Sequence, residues 1–308
     1  MTSELQFIRG LKRRFPVRYP VQVGIGDDGA IVDCSQADQQ TVVIDMQLDG
    51  VHFDLCTTPP QLVGRKAVAV NLSDLAAMGC WPTAAFVSLA LPKSMKSPEA
   101  FLDRMYAGME EFATRWNFCV AGGDTNTWNG PLAIDVCLTG IPMGKHPVLR
   151  NGAQPEDVLL VTGPLGGSLL KGRHLNFTPR LELANWLIRN YDIHAMIDIS
   201  DGLALDLHRM MEASGTGADV LADAVPIHAD VRSEDRDSSL LHALSDGEDF
   251  ELLLALSHND FDRLNSDEDR PQNFHQIGRV HQDRRCQLID GNGNCTAMNV
   301  AGWQHELS

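Results

Sequence analysis

The sequence predicts an α/β protein built from two domains. Three observations lead to this class. The length of 308 residues suits about two domains, short apolar runs alternate with helical patterns, and a loop-like stretch at 144–157 interrupts the alternation. We therefore expect an N-terminal domain over residues 1–148 and a C-terminal domain over residues 149–308.

Short apolar runs bounded by turn-forming residues predict ten β-strands. In chain order these are 21–25, 41–45, 84–91, 118–122, 132–140, 157–163, 195–200, 218–223, 250–256 and 274–280. The stretch DGNGN at 290–294 predicts the turn of a hairpin near the C-terminus.

Three segments between the strands predict helices. Segment 62–78 is apolar on most sides and stops at Gly79, so it predicts a buried helix. Segment 97–117 predicts a helix with Ser97 as its N-cap and a proline at the first helical position, and 201–214 predicts a third helix.

The composition excludes several classes of partner. Asp and Glu number 41 against 25 Lys and Arg, and a net charge of −16 argues against nucleic acid or an anionic membrane as the main partner. No window approaches the length of a membrane-spanning apolar segment. The seven cysteines form no C-x-x-C pair, so we expect reduced thiols and a cytoplasmic protein.

The stretch GIGDDG at 24–29 matches a dinucleotide-binding pattern in its letters but not in its context. That fingerprint must open a helix, whereas a short turn-rich segment follows here. Asp27 and Asp28 would also repel a pyrophosphate. These aspartates suggest instead a loop that holds a metal, which in turn holds a phosphate.

Further aspartates occupy comparable positions along the chain. They are Asp45, Asp74, Asp124, Asp198 and Asp201, mostly at the ends of predicted strands. Each one alone is better explained as a turn former or cap, except Asp74, which lies in the apolar helix and needs a partner there. Two carboxylates about 4 Å apart repel by roughly 4 kcal/mol at an effective dielectric near 20, so a converging set requires cations such as Mg²⁺.

Other catalytic or binding motifs are absent or weak. The sequence has no Walker-type G-x-x-x-x-G-K-[ST], no G-x-S-x-G and no zinc-like cluster. The stretch GPLGGS at 163–168 is a Gly-rich loop without a lysine, so it is at best a weak phosphate cradle. His52 is the histidine that best suits a site, although its position taken alone favours a structural role.

Six motifs occur in an order that resembles one known family. They are GIGDDGA (24–30), DGVHF (49–53), GRKAVAVNLSDLAAMGC (64–80), AGGDT (121–125), IDISDGL (197–203) and LSDGEDFEL (244–252). The chain resembles the thiamine-monophosphate kinases of the aminoimidazole ribonucleotide synthetase-like superfamily. The resemblance implies an α/β (α+β) protein whose N-terminal mixed sheet pairs in a homodimer, followed by a C-terminal α/β domain. It also implies Mg²⁺-dependent transfer of the ATP γ-phosphoryl to thiamine monophosphate.

The resemblance implies the site residues one by one. The metal ligands would be Asp28, Asp45, Asp74, Asp124, Asp198 and Asp201. The ATP contacts would be Tyr106, Gly123, Asp124, Arg150 and Ser200. The contacts to thiamine monophosphate would be His52, Glu248 and Trp303. No residue is expected to act as a general base, because the acceptor phosphate oxygen is already ionised.

The sequence departs from the family pattern in three places. Val43 and Ile44 replace the usual Ser-Thr before Asp45, Asp246 replaces a glycine, and the segment after GPLGGSLL is short. Two alternatives therefore stay open. One is a superfamily sibling with a different acceptor, and the other is a nucleotide-binding paralogue that has lost turnover.

Overall fold

The computed structural model describes residues 10–25, 30–35, 37–232, 235–271 and 274–303. The chain divides into two compact units, residues 1–75 with 80–142 and residues 76–79 with 143–308. Within the described ranges, every helix is too short or too polar to cross a membrane.

The N-terminal unit is built on a four-stranded mixed sheet. Its strands are β3 (Thr41–Leu48), β4 (Cys80–Pro92), β5 (Cys119–Trp128) and β6 (Ala133–Pro142), in the order β3-β6-β4-β5. Strands β4 and β5 are parallel and the other pairs are antiparallel. A separate antiparallel pair is formed by β1 (Val21–Val23) and β2 (Ile31–Val32).

Two long helices of this unit cross in close contact. Helix α1 spans Pro60–Ala77 and helix α2 spans Pro98–Arg115. A Cβ added to Gly64 would lie 1.9 Å from the carbonyl oxygen of Met105, and one added to Gly108 would lie 1.9 Å from that of Gln61. Glycine at both positions therefore lets the two backbones touch.

The C-terminal unit contains a seven-stranded mixed sheet in the order β13-β12-β9-β11-β7-β10-β8. The strands are β7 (Val158–Val161), β8 (Ile193–Asp198), β9 (Gly217–Leu221), β10 (Leu252–Leu256), β11 (His275–His281), β12 (Cys286–Ile289) and β13 (Cys295–Ala297). The helices are α3 (Arg173–Asn176), α4 (Leu181–Asn190), α5 (Leu203–Ser214), α6 (Arg236–Ser245) and α7 (His258–Ser266). The central strands β7 and β10 are completely buried, which explains their unbroken apolar sequences.

The structure confirms the ten predicted strands, the three predicted helices and the C-terminal hairpin between β12 and β13. Helices α3, α4, α6 and α7 were not predicted, although two of them carry cap signals. Ser257 accepts a hydrogen bond from the Asp260 N–H at the start of α7, and Asp235 caps α6 in the same way.

Two local predictions need correction. Ser97 occupies the predicted N-cap position before Pro98, but it is in a left-handed conformation with φ of 55° and its side chain makes no capping bond to α2. Strand β3 continues to Leu48, so Asp45 lies inside the strand and not at its end. The apolar run alone set the predicted limit, whereas the antiparallel ladder with β6 extends three residues further.

Candidate active site

The loop that follows β8 is the centre of the candidate site in the C-terminal unit. Asp198 is the last residue of β8 and is 6% exposed. The backbone N–H groups of Ser200 and Asp201 donate to Oδ2 of Asp206, at 3.1 and 3.0 Å. The buried Asp206, in the first turn of α5, therefore fixes the shape of this loop.

Arg209 lies beside the same carboxylates and was not predicted. Its Nη1 is 2.5 Å from Oδ2 of Asp201 and 2.8 Å from Oδ1 of Asp206. The sequence signal was the spacing of Asp206 and Arg209, three residues apart on one helix face. In this structure a guanidinium thus offsets the charge of Asp201, and a metal bound by Asp201 would share or replace that partner.

A second loop, residues 246–250, is hydrogen-bonded to the first. The Glu248 N–H donates to the Ser200 carbonyl at 2.6 Å, and the Phe250 N–H donates to the Ile199 carbonyl at 2.8 Å. Gly247 and Glu248 have positive φ values of 71° and 55°. A Cβ on Gly247 would lie 2.8 Å from the Ser200 carbonyl oxygen, so glycine is needed for this close approach.

Trp303 is tied to the same loop from the C-terminal end of the chain. Its backbone N–H donates to the Asp201 carbonyl at 2.9 Å, while 55% of the residue is exposed. The structure thus gathers Ser200, Asp201, Glu248 and Trp303 around one loop, although they lie up to about a hundred positions apart in the sequence. Among them are candidates for all three predicted roles: nucleotide, metal and acceptor binding.

The Gly-rich loop 163–168 does not act as a phosphate cradle in this structure. The Gly166 N–H is 3.0 Å from both carboxylate oxygens of Asp249, and the Gly167 N–H is 2.8 Å from Oδ2 of Asp246. The donors that a phosphate would need already bond to carboxylates. The local sequence pattern could not show this, because the partners lie about eighty residues away along the chain.

Asp246, which departs from the family pattern, suits its position. Its φ is −64°, so the backbone does not require glycine there. Its carboxylate accepts from Gly167 and contacts Nδ1 of His242 at 2.9 Å. The substitution therefore adds a bond between two loops without straining either backbone.

Arg150 lies beside the start of β8. Its neighbour Leu149 accepts a hydrogen bond from the Met196 N–H at 3.0 Å, and the Arg150 carbonyl accepts one from the Ser214 hydroxyl at 3.4 Å. The residue is exposed. Its backbone is held against β8 and α5, and its side chain is exposed, as a contact with an anionic ligand requires.

The N-terminal unit carries the remaining predicted residues. Asp45 lies within β3 and is half-buried, and Asp74 lies on α1, where it is also half-buried and not enclosed as its apolar helix suggested. Asp124 is exposed on β5, and its carboxylate accepts from the Thr125 N–H at 2.8 Å and the Asn126 amide at 3.1 Å. Asp28 lies outside the described residues.

Strand alternation separates the two positions where the family pattern has Ser-Thr. Val43 is 8% exposed and shares a face of β3 with Asp45, whereas Ile44 is 63% exposed on the opposite face. A threonine at position 44 would therefore point away from Asp45, and only a serine at position 43 would place its hydroxyl on the face of that carboxylate.

Of the three ATP candidates in the N-terminal unit, Gly123 and Asp124 are exposed on β5, whereas Tyr106 on α2 is buried. Gly123 on β5 has φ of 151°, and an added Cβ would lie 1.9 Å from the Val87 carbonyl oxygen. Tyr106 on α2 is 3% exposed and packs edge-on against Phe15, and its burial raises the pKa of the phenol. A nucleotide contact at Tyr106 would require this packing to open.

His52 is held by the backbone around it. Its Nδ1 accepts from the Leu48 N–H at 3.0 Å, so a neutral His52 carries its proton on Nε2 and offers that N–H as a donor. The ammonium of Lys66, a fully buried residue of α1, donates to the His52 carbonyl at 2.8 Å. Lys66 was not predicted, and its place in an otherwise apolar helix was the available signal.

The donor chemistry of the aspartates fits Mg²⁺, which takes carboxylate oxygens, but the geometry is not that of a formed cluster. Across the described ranges, no three His, Cys, Asp or Glu side chains are grouped to hold a metal ion. The aspartates that could contribute oxygens are Asp45, Asp74 and Asp124 in the N-terminal unit and Asp198 and Asp201 in the C-terminal unit.

Comparison with known families defines the class of protein. Residues 26–142 match the family of AIR synthase related proteins, N-terminal domain, and residues 154–291 match the corresponding C-terminal domain. The chain therefore has the two-domain α/β fold of the AIR synthase related proteins.

Individual relatives identify the family within this class. The chain is 43% identical over 266 residues to a thiamine-monophosphate kinase from Rhodopirellula baltica, covering 83% of this chain and 81% of that protein. It is 33% identical over 289 residues to the enzyme of the same name from Bacillus subtilis, covering 85% and 86%. The chain belongs to the thiamine-monophosphate kinase family, and it is a kinase.

Solved structures agree with this assignment. A thiamine-monophosphate kinase from Stenotrophomonas maltophilia superposes with a TM-score of 0.79 at 30% identity, covering 96% of this chain and 98% of that one. A structure described as AaThiL complexed with AMPPCP and TMP superposes with a TM-score of 0.76 at 26% identity, covering 98% and 97%. Hydrogenase maturation protein HypE shares the fold at 19% identity.

Proposed function

We propose that this kinase transfers the γ-phosphoryl group of ATP to thiamine monophosphate and so forms thiamine diphosphate, with Mg²⁺ as the metal. The observation that carries the proposal is the convergence of Ser200, Asp201, Glu248 and Trp303 on the loop after β8. The relative complexed with AMPPCP and TMP supports this pair of substrates.

The proposed chemistry needs alignment and charge neutralisation, not proton removal. The attacking phosphate oxygen is ionised at neutral pH, so no side chain has to act as a general base. Bound Mg²⁺ would neutralise the charge on the phosphates. Its proposed ligands are Asp28, Asp45, Asp74, Asp124, Asp198 and Asp201, and the protein must keep these carboxylates apart or paired when no ion is bound.

Nucleotide and acceptor have separate proposed contacts. For ATP they are Tyr106, Gly123, Asp124, Arg150 and Ser200. For thiamine monophosphate they are His52, Glu248 and Trp303. The exposed indole of Trp303 suits a flat cationic heterocycle, and Glu248, whose backbone bonds to the same loop, supplies a negatively charged side chain.

We also propose two domains over residues 1–148 and 149–308, a cytoplasmic location and a homodimer formed through the N-terminal domain. All seven cysteines are free thiols, which suits a reducing compartment. Val42, Ile44 and Met46 are each more than half exposed on one face of β3, and such an apolar stripe suits burial against a second copy.

A coupled assay tests the function. Purified protein is incubated with Mg²⁺-ATP and thiamine monophosphate, product is measured against a heat-treated control, and nucleotide binding is measured in parallel. We expect thiamine diphosphate. ATP binding without product would favour the paralogue that has lost turnover, and ATP consumption only with another acceptor would favour the superfamily sibling.

A further inference from the structure

We propose that Ser168 is a positioning residue for the acceptor substrate, because its hydroxyl holds the backbone of Glu248 in the conformation from which the carboxylate meets thiamine monophosphate. This inference rests on the proposed function, in which Glu248 contacts the acceptor. Ser168 lies in the Gly-rich loop 163–168, whose other donors already bond to carboxylates.

The backbone of Glu248 needs such support. Its φ of 55° places it in the left-handed region, between Gly247 at 71° and Phe250 at 53° in the same loop. A glutamate has a Cβ that makes this conformation unfavourable, so it persists only where the surrounding structure imposes it. Non-glycine residues held in this way occur preferentially at ligand-binding sites.

Hydrogen bonds restrain Glu248 at its backbone N–H and at its backbone carbonyl. On the N–H side the Ser200 carbonyl accepts at 2.6 Å. On the carbonyl side the Ser168 hydroxyl donates at 2.5 Å. The two bonds together set the φ and ψ of Glu248, and they connect the proposed acceptor residue to the proposed nucleotide loop at Ser200.

Burial, hydrogen bonds and the two preceding glycines hold Ser168 in place. The residue is completely buried, and its carbonyl oxygen lies 3.2 Å from Nδ1 and 3.3 Å from the backbone N of His174. The two glycines before it have φ of 87° and 70°, and a Cβ on either would lie 2.8 Å from the backbone of another segment. Since the Ser168 side is rigid, the hydroxyl determines the position of the Glu248 carbonyl.

The other bonds between these loops act on neighbours of Glu248. Asp249 accepts from Gly166 and from Arg173, whose Nη2 is 2.9 Å from Oδ1. Asp246 accepts from Gly167. These contacts attach the loop as a whole, so removing the Ser168 hydroxyl should disturb Glu248 while the loop stays in place.

The test measures steady-state kinetics for both substrates in Ser168→Ala, Ser168→Thr, Glu248→Gln and the double variant Ser168→Ala/Glu248→Gln. We expect Ser168→Ala to raise the KM for thiamine monophosphate about tenfold, as the loss of one buried hydrogen bond predicts, with the KM for ATP changed less than about twofold. Ser168→Thr keeps the hydroxyl and should restore most of the affinity. Calorimetric binding of thiamine monophosphate provides a readout without turnover.

The double variant separates positioning from general destabilisation. If Ser168 acts through the Glu248 carboxylate, Ser168→Ala should add little to the effect of Glu248→Gln. Ser266→Ala is the matched control, because its hydroxyl also donates to a backbone carbonyl, that of Asp262 at 2.8 Å, but on the exposed helix α7. It should change neither KM. If Ser168→Ala does not fold, Ser168→Cys keeps a weak donor and should give an intermediate KM.

Three results would overturn the inference: an unchanged acceptor KM in Ser168→Ala, equal rises in both KM values, or fully additive effects in the double variant. A wild-type protein that phosphorylates thiamine monophosphate while showing any of these leaves the proposed function intact. A wild-type protein that neither binds nor phosphorylates thiamine monophosphate overturns the proposed function as well.

Discussion

Glu248 combines an unfavourable backbone conformation with a proposed role in acceptor binding. A substitution that relieves the backbone should therefore raise stability while it lowers acceptor affinity. Glu248→Gly removes the Cβ from a left-handed position. We expect the free energy of unfolding to rise by about 0.5–1 kcal/mol, after allowing for the greater freedom of glycine in the unfolded chain. Acceptor affinity should fall at least tenfold. Chemical denaturation and calorimetric titration measure the two effects.

Glu156 provides the control for this prediction. It also has a positive φ, 75°, in an exposed turn before β7, but it has no proposed contact with either substrate. Glu156→Gly should therefore give a similar gain in stability with unchanged acceptor affinity. Equal acceptor affinity in Glu248→Gly and the wild type would show that Glu248 does not bind the acceptor.

Asp249 makes stability depend on pH. Burial raises its pKa to about 7, against the hydrogen bond from Gly166 and the charge of Arg173, which lower it. An acid with a raised folded-state pKa stabilises the fold at low pH, and this contribution is lost as the pH rises through the folded-state value. We expect the wild type to lose up to about 2–3 kcal/mol more than Asp249→Asn between about pH 5 and pH 8. Urea unfolding of both proteins at the two pH values measures this difference. The same pH dependence in both proteins would show that Asp249 stays ionised throughout.

At the scale of elements, the crossing of α1 and α2 should be intolerant of any side chain. Gly64→Ala and Gly108→Ala each place a methyl group within 2 Å of a backbone carbonyl oxygen, which no side-chain rotation relieves. We expect each variant to lose about 2–3 kcal/mol or more of stability, because overpacking must push the helices apart. Thermal melts test this. Gly10→Ala is the control, since no atom of the described residues lies within 4 Å of its added Cβ. A comparable loss in Gly10→Ala would show that the loss does not come from the contact between α1 and α2.

The geometry of β3 leads us to expect different effects from substitutions at the two positions before Asp45. Val43→Ser places a hydroxyl on the face of Asp45, so it should lower the free Mg²⁺ needed for half-maximal rate, while costing about 1–3 kcal/mol through the loss of a buried apolar group. Ile44→Thr should leave the Mg²⁺ requirement unchanged, because the side chain points to the other face. Initial rates against free Mg²⁺ at saturating ATP decide this, with folding checked by thermal melts. A lower requirement in Ile44→Thr would contradict the strand geometry.

At the scale of the whole molecule, the apolar stripe on β3 should support the homodimer that we propose. Ile44→Lys puts a charge among Val42, Ile44 and Met46, and burying it would be unfavourable. We expect at least a tenfold weaker dimer, measured by light scattering over a dilution series. Leu241→Lys on α6 is the control, because Leu241 is similarly exposed at 60% but lies in the C-terminal unit. A 33.8 kDa monomer for the wild type would contradict the dimer itself.

The local sequence by itself determined most of the strands, the helix α1 and the kind of chemistry that the protein carries out. The ten strands could be predicted because buried apolar runs between turn residues are a local signal, and α1 could be predicted from its apolar length. The aspartate motifs indicated metal and phosphate chemistry because so many carboxylates need cations. Two local signals were present but were missed. One is the ion pair of Asp206 with Arg209, and the other is the N-cap Ser257 at the start of α7.

Only the tertiary structure decided which groups the loops bond to and which side chains share a face. The donors of the Gly-rich loop bond to Asp246 and Asp249, and Ser168 bonds to Glu248, across about eighty residues of sequence. Val43 and Ile44 are adjacent in sequence but lie on opposite faces of β3. A local sequence pattern shows which donors, acceptors and apolar side chains a segment has. The partners of those groups depend on which distant segments the sheets and helices bring beside it.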